Sequence, residues 1–128
     1  MKTILLIEPD PVNLLALALI LRSLGYTVLE VDSQDEAVRA CHDHGGPIHL
    51  LVAEAFLQRE DAKPGVKRSE LLNWPTRALF LSDEPPNELP DATYEHAFLR
   101  TPFRVEALAA TISELLHGPQ SAIVSSAS

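Results

Sequence analysis

Only one cysteine, Cys41, occurs in the 128 residues, so no disulfide can close within the chain. That usage fits a reducing, cytoplasmic setting. Its helical spacing from Val38 makes Cys41 a core position rather than a nucleophile. Cations are scarce as well: 10 Lys and Arg stand against 18 Asp and Glu, for a net charge of −8. Gripping a nucleic-acid backbone depends on clustered Lys and Arg. The one small group, Lys63, Lys67 and Arg68, reads as a solvated loop, so no direct nucleic-acid partner is expected. Long apolar runs are missing too. The stretch VNLLALALILRSLGY is cut by Arg22 before it reaches the roughly 18 residues of a membrane span, and no membrane partner is expected. The opening MKTILLIEPD meets Glu8 and Asp10 without a small-residue cleavage site, which argues against a signal peptide. Neither a Walker loop nor a catalytic triad is present, and there is no internal repeat.

What is present is an alternation of short apolar runs, rich in β-branched residues, with segments of helical period. That pattern belongs to a parallel sheet covered by helices on both faces. The length suits one domain, 1–118, with 119–128 as a flexible tail or the start of a linker. TILLI is the first strand. Asp10 then stands as N-cap with Pro11 at the first helical position, and the helix stops at Gly25. YTVLEV is the second strand. SQDE at 33–36 is a capping box that starts a helix running to about His44. IHLLVA, ALFLS and HAFL are the third, fourth and fifth strands. The last helix, 104–117, places Val105, Leu108, Ile112 and Leu115 on one face. Between these, 58–75 holds at most a short helix, and the prolines of 83–95 leave a fourth helix short or missing.

Taken together, EPDP after the first strand, GYTVLEV after the first helix, Glu54 closing the third strand, Ser82 closing the fourth and FLRTPF around the fifth resemble a response-regulator receiver domain. The resemblance covers about residues 3–117. It implies a flavodoxin-like, doubly wound five-stranded parallel sheet of order 2-1-3-4-5, with a site beyond the carboxyl ends of the strands. It also implies an aspartate phosphoacceptor ending the third strand, an acid pair holding Mg²⁺, a Ser or Thr that bonds the phosphoryl group, and a lysine that neutralises it.

This sequence departs from that set at three positions. Glu54 stands at the phosphoacceptor position, one methylene longer than Asp. Glu8 is present, but the second acid is replaced by Pro9, which has no ligand atom, and the lysine position is Thr101, ahead of Pro102. Mg²⁺ demands near-octahedral oxygens at about 2.0–2.1 Å. A reacting group misplaced by about 1 Å can cost about a hundredfold in rate. Arg100 points to the other face from Thr101 and cannot replace the lysine, while Asp83 adds a further negative charge. Efficient phosphorylation is therefore not expected, and no cofactor is assigned. Glu54 either imitates the phosphorylated form by reaching toward Ser82 or stands in a decayed pocket. Weak retention of Mg²⁺ or Ca²⁺ by Glu8, Asp10 and Glu54 is the third option.

For output, the resemblance implies a switch at Ser82 and Phe98 and a cis bond at Thr101-Pro102. On the first helix, Leu14, Leu17, Leu21 and Leu24 follow the core-facing spacing, whereas Val12, Leu15, Ala18 and Leu19 form an apolar stripe toward solvent. Such a stripe marks a contact surface, for a homodimer or a signalling partner such as a histidine kinase or an effector. The favoured reading is a non-enzymatic, phosphorylation-independent interaction module. The alternative is a conventional phosphorelay response regulator that takes up a phosphoryl group with Mg²⁺. A flavodoxin-like cofactor binder is disfavoured, since EPDP offers prolines and negative charge where a phosphate cradle needs Gly, Ser or Thr.

Overall fold

The computed structural model describes residues 2–54, 74–83 and 95–117. Five strands, β1 (Thr3–Ile7), β2 (Thr27–Val31), β3 (Leu50–Glu54), β4 (Arg77–Ser82) and β5 (Glu95–Arg100), form one sheet of order β2-β1-β3-β4-β5. All neighbours are parallel. Three helices are described: α1 (Pro11–Ser23), α2 (Gln34–Asp43) and α3 (Val105–His117). This is the flavodoxin-like order expected from the sequence. The shortened third helix expected within 58–75 and the short or missing fourth helix of 83–95, like the tail 119–128, fall largely or wholly outside the described residues.

Strand geometry divides the apolar residues between two cores, because successive side chains point to opposite faces of a sheet. Ile4, Leu6, Leu50, Val52, Leu79 and Leu81 meet Leu17, Ala18 and Leu21 of α1 and Leu108, Ile112, Leu115 and Leu116 of α3. On the other face, Leu5, Ile7, Leu51, Ala53, Ala78 and Phe80 meet Ala37 and Cys41 of α2, together with Trp74. Burial of this second core pushes the Cys41 thiol up to about 11, which suits a packing role and not a nucleophile.

The helix ends follow from their capping residues. Asp10 Oδ2 accepts the N–H of Asn13 at 3.3 Å, and Ser33 Oγ accepts that of Glu36 at 3.2 Å, so each satisfies a donor that a helix start leaves over. At the far end of α1, Gly25 adopts φ +98°. Its N–H donates to Arg22 O at 3.0 Å, and Tyr26 N–H donates to Leu21 O at 3.2 Å, the paired bonds of a Schellman stop. Glycine takes this left-handed backbone without the Cβ clash that other residues meet. Arg77 donates to Leu116 O at 3.3 Å and ties β4 to the end of α3.

Three expectations are corrected. Ala18 is fully buried against the first core and does not belong to the outward stripe of α1. Val105, the first residue of α3, is 42% exposed and does not share the burial of Leu108, Ile112 and Leu115. The third strand begins at Leu50, two residues late, since His49 turns its side chain back onto β1.

His49 accepts the Thr3 N–H on Nδ1 at 2.9 Å while its own N–H donates to Thr3 O at 2.9 Å. Burial, then the charge of Lys2, lowers its pKa from the ordinary value of 6.5. An unfolded chain therefore binds more protons than the folded one between that lowered value and 6.5. The stabilisation is complete above about pH 6.5 and is lost as pH falls through that window. Urea unfolding at about pH 7.5 and about pH 5.5 should show a larger loss of midpoint for the natural protein than for a His49→Gln variant. In the same assay, Ile112→Ala should cost about 2–5 kcal/mol, and Val12→Ala at most about 0.5 kcal/mol.

Candidate functional site

Because β1, β3 and β4 are covered on both faces, polar chemistry gathers where these strands end. Glu8 follows β1 on the α1 side and is only 4% exposed, although its side chain is ionisable. Its backbone N–H donates to Val31 O at 3.1 Å, and its Oε2 accepts the Asp10 N–H at 3.1 Å. Asp10 itself is exposed and caps α1. Glu54 ends β3, in register with Leu81 of β4. The reach of its carboxylate toward Ser82 lies outside the described part of the structure. Ser82 ends β4, half-buried, with Asp83 exposed beyond it. Thr101 N–H donates to Ser82 O at 2.9 Å, and the Thr101-Pro102 bond is cis.

These strand ends open into a cavity of about 490 Å³ lined by Glu8, Asn13, Ala16, Leu17, Ile20, Leu81, Ser82, Asp83, Thr101 and Phe103. Glu8, Ser82 and Thr101 thus line one cavity; Asp10 and Pro102 are not part of the lining. Arg100 is exposed and shares the face of Phe98, opposite to Leu99 and Thr101, so it does not enter the cavity lining. The sequence reading missed Asn13, Ala16, Leu17 and Ile20. Their spacing of three, four and seven residues is a helical stripe that borders the core-facing one and shares Leu17 with it.

Phe98 is half-buried, on the α2 face of β5. Its ring lies 5.7 Å from that of Phe80 and 5.5 Å from that of His96, the latter edge-on at 77°. This aromatic group was not foreseen. Its signal was the alternation of His96 and Phe98 opposite Ala78 and Phe80 in the ladder.

A divalent cation needs several converging oxygens. Pro9 supplies none, Asp10 Oδ2 is engaged by the helix start, and Glu8 Oε2 already accepts an N–H. No group of three His, Cys, Asp or Glu able to hold a metal occurs among the described residues. Glu8 and Asp10 alone do not make such a set for the Mg²⁺ that the fold family implies.

No protein-family model matches the chain. The sensor kinase CckA of Brucella abortus (strain 2308) is 28% identical over 118 residues, which is 89% of this chain and 12% of that protein. The crystal structure of the receiver domain from the hybrid histidine kinase CckA matches with a TM-score of 0.60 and 25% identity, covering 90% of this chain and 99% of that one. The fold is that of response-regulator receiver domains. A second receiver domain, from the sensor histidine kinase PA1611 of Pseudomonas aeruginosa PAO1, matches with a TM-score of 0.66 and 22% identity over 91% of this chain and 98% of that one. That protein was crystallised with a magnesium ion in its active-site cleft. At this identity the likeness concerns the fold alone.

In this receiver fold the acidic turn after β1 starts a helix. Asp10→Ala should therefore cost about 1 kcal/mol in urea unfolding, and Asp10→Asn only a few tenths. Equal stability of Asp10→Ala and the natural protein would remove the capping role.

Proposed function

We propose that the chain is a signalling receiver domain that works by protein contact and not by taking up a phosphoryl group, with Glu54 in the phosphoacceptor's place. The observation that carries this reading is the chemistry around Glu8. One neighbouring position is a proline, the adjacent acid is spent on a helix cap, and position 101 is a threonine. Phosphoryl transfer relies on cations that offset charge building up on the moving group. Among the described residues that line the cavity, two are carboxylic acids and none is Lys or Arg. The domain is on this reading not an enzyme, and it needs no metal.

Its partner is a protein of a two-component pathway, a histidine kinase or an effector. Resemblance to receiver domains carried by sensor kinases supports that class of partner. The contact surface is the outward stripe of α1, where Val12, Leu15 and Leu19 are 72%, 57% and 58% exposed. Large apolar side chains in a row on a surface helix mark an interaction site. No helix among the described residues is long and apolar enough to cross a membrane, so the stripe is not part of a span.

Intact mass after incubation with acetyl phosphate and Mg²⁺ separates this reading from a conventional phosphorelay regulator. The expected result is an unchanged mass; the gain of one phosphoryl group contradicts it. Sedimentation tests the α1 surface. Self-association through the stripe should give a mass that rises with concentration and returns to that of the monomer in Leu15→Asp. A protein monomeric at every concentration confines the stripe to a different partner.

A further inference from the structure

β2 lies at one end of the sheet, with β1 as its one neighbour among the described strands. In a parallel ladder, residues whose N–H and C=O both turn to the neighbour alternate with residues that turn both away. The Thr27 N–H donates to Lys2 O at 3.0 Å, and Val31 O accepts the Glu8 N–H at 3.1 Å, so Thr27, Leu29 and Val31 face β1. The backbones of Val28 and Glu30 therefore turn outward, onto the edge of the sheet. An edge of this kind is a template on which another strand can pair. TVLEV is rich in residues that favour strands and has no proline to prevent it.

Arg22, in the last turn of α1, stands across this edge. Its Nη2 donates to Val28 O at 3.3 Å and pairs with the Glu30 carboxylate. Both side chains are exposed, and an exposed ion pair adds little to stability. Its position matters more than its strength. Neighbouring strands lie only about 4.7–4.9 Å apart, so the guanidinium fills the place where the N–H of an added strand would have to reach Val28 O.

We infer that the β2 edge is a pairing surface for a second copy of this chain, and that Arg22 holds it closed. The choice of occupant follows from the edge itself. Two copies of β2 laid antiparallel about Leu29 set Val28 opposite Glu30 of the second copy, and outward-facing residues so placed exchange both of their N–H···O bonds. Val28 O, the atom that Arg22 holds, is one of the acceptors. No Glu30 stands directly opposite another, so like charges do not oppose this register. This surface is distinct from the cavity and from the outward stripe of α1, and the inference goes beyond the proposed function.

The test is sedimentation of the full chain with amide hydrogen exchange, in a Leu15→Asp background that removes association through α1. Arg22→Ala and Arg22→Gln should each raise dimerisation by about tenfold or more over the Leu15→Asp parent. Exchange at the Val28 and Glu30 amides should slow as the concentration of these variants rises. Adding Glu30→Pro to Arg22→Ala removes an outward N–H at a place where an edge strand tolerates proline, and should restore the monomer. Circular dichroism checks that each variant folds; should the proline variant not fold, exchange at Val28 and Glu30 decides. No gain in association in either Arg22 variant overturns the inference. So does a dimer that survives Glu30→Pro, or one that leaves the Val28 and Glu30 amides unprotected.

Discussion

β1 is buried on both faces, and from that constraint the location of the site follows. Ile4 and Leu6 face α1 and α3, Leu5 and Ile7 face α2, and none of the four is more than 2% exposed. A strand of this kind has no room for an unpaired charge, so its first acid appears only where the strand stops. β3 and β4 obey the same rule, with Leu50 to Ala53 and Ala78 to Leu81 all buried. Glu8, Glu54 and Ser82 are thus set at one edge of the sheet by the way their strands are packed. The chemistry of that edge is then decided by a handful of residues.

Those residues separate fold from function. The chain retains the cavity, the capped helix beside it, the cis bond at Thr101-Pro102 and the hydrogen bond from Thr101 to Ser82. It does not retain a lysine at 101 or a second acid at 9. Among the described residues that line the cavity the acids then have no Lys or Arg beside them, and on the proposed reading the domain communicates through contact surfaces. The outward stripe of α1 and the cavity behind it lie on neighbouring faces of one helix, so a partner seated on Leu15 and Leu19 stands close to Ala16 and the cavity mouth.

Much of the fold was legible because local signals and hydrophobic period agreed. Asp10-Pro11 and Ser33 marked helix starts, Gly25 marked a stop, and the buried strands showed as continuous apolar runs. The strand order and the cis bond rested on resemblance, since neither follows from local pattern. What failed was finer. Ala18 and Ala16 are alike in sequence, yet one is packed against the sheet and the other is exposed at the cavity, because the helix rotates by about 100° per residue and a stripe edge shifts with small changes in docking. Val105 looked like core by period, but a helix period does not say whether the first residue of the helix reaches the core. The His49 bond to Thr3 is long-range, between residues 46 apart in the chain, and no local pattern announces it. The site acids were readable as a set only because the fold was recognised.

Beryllium fluoride adopts the shape of an acyl phosphate, and its binding with Mg²⁺ requires the same cations as phosphorylation. Fluorine NMR of the protein with beryllium fluoride and Mg²⁺, together with a crystal structure under those conditions, therefore addresses the central claim most directly. The account predicts no protein-bound fluoride resonance and no density on residue 54. A beryllium fluoride group seated on Glu54 beside a magnesium ion would contradict it.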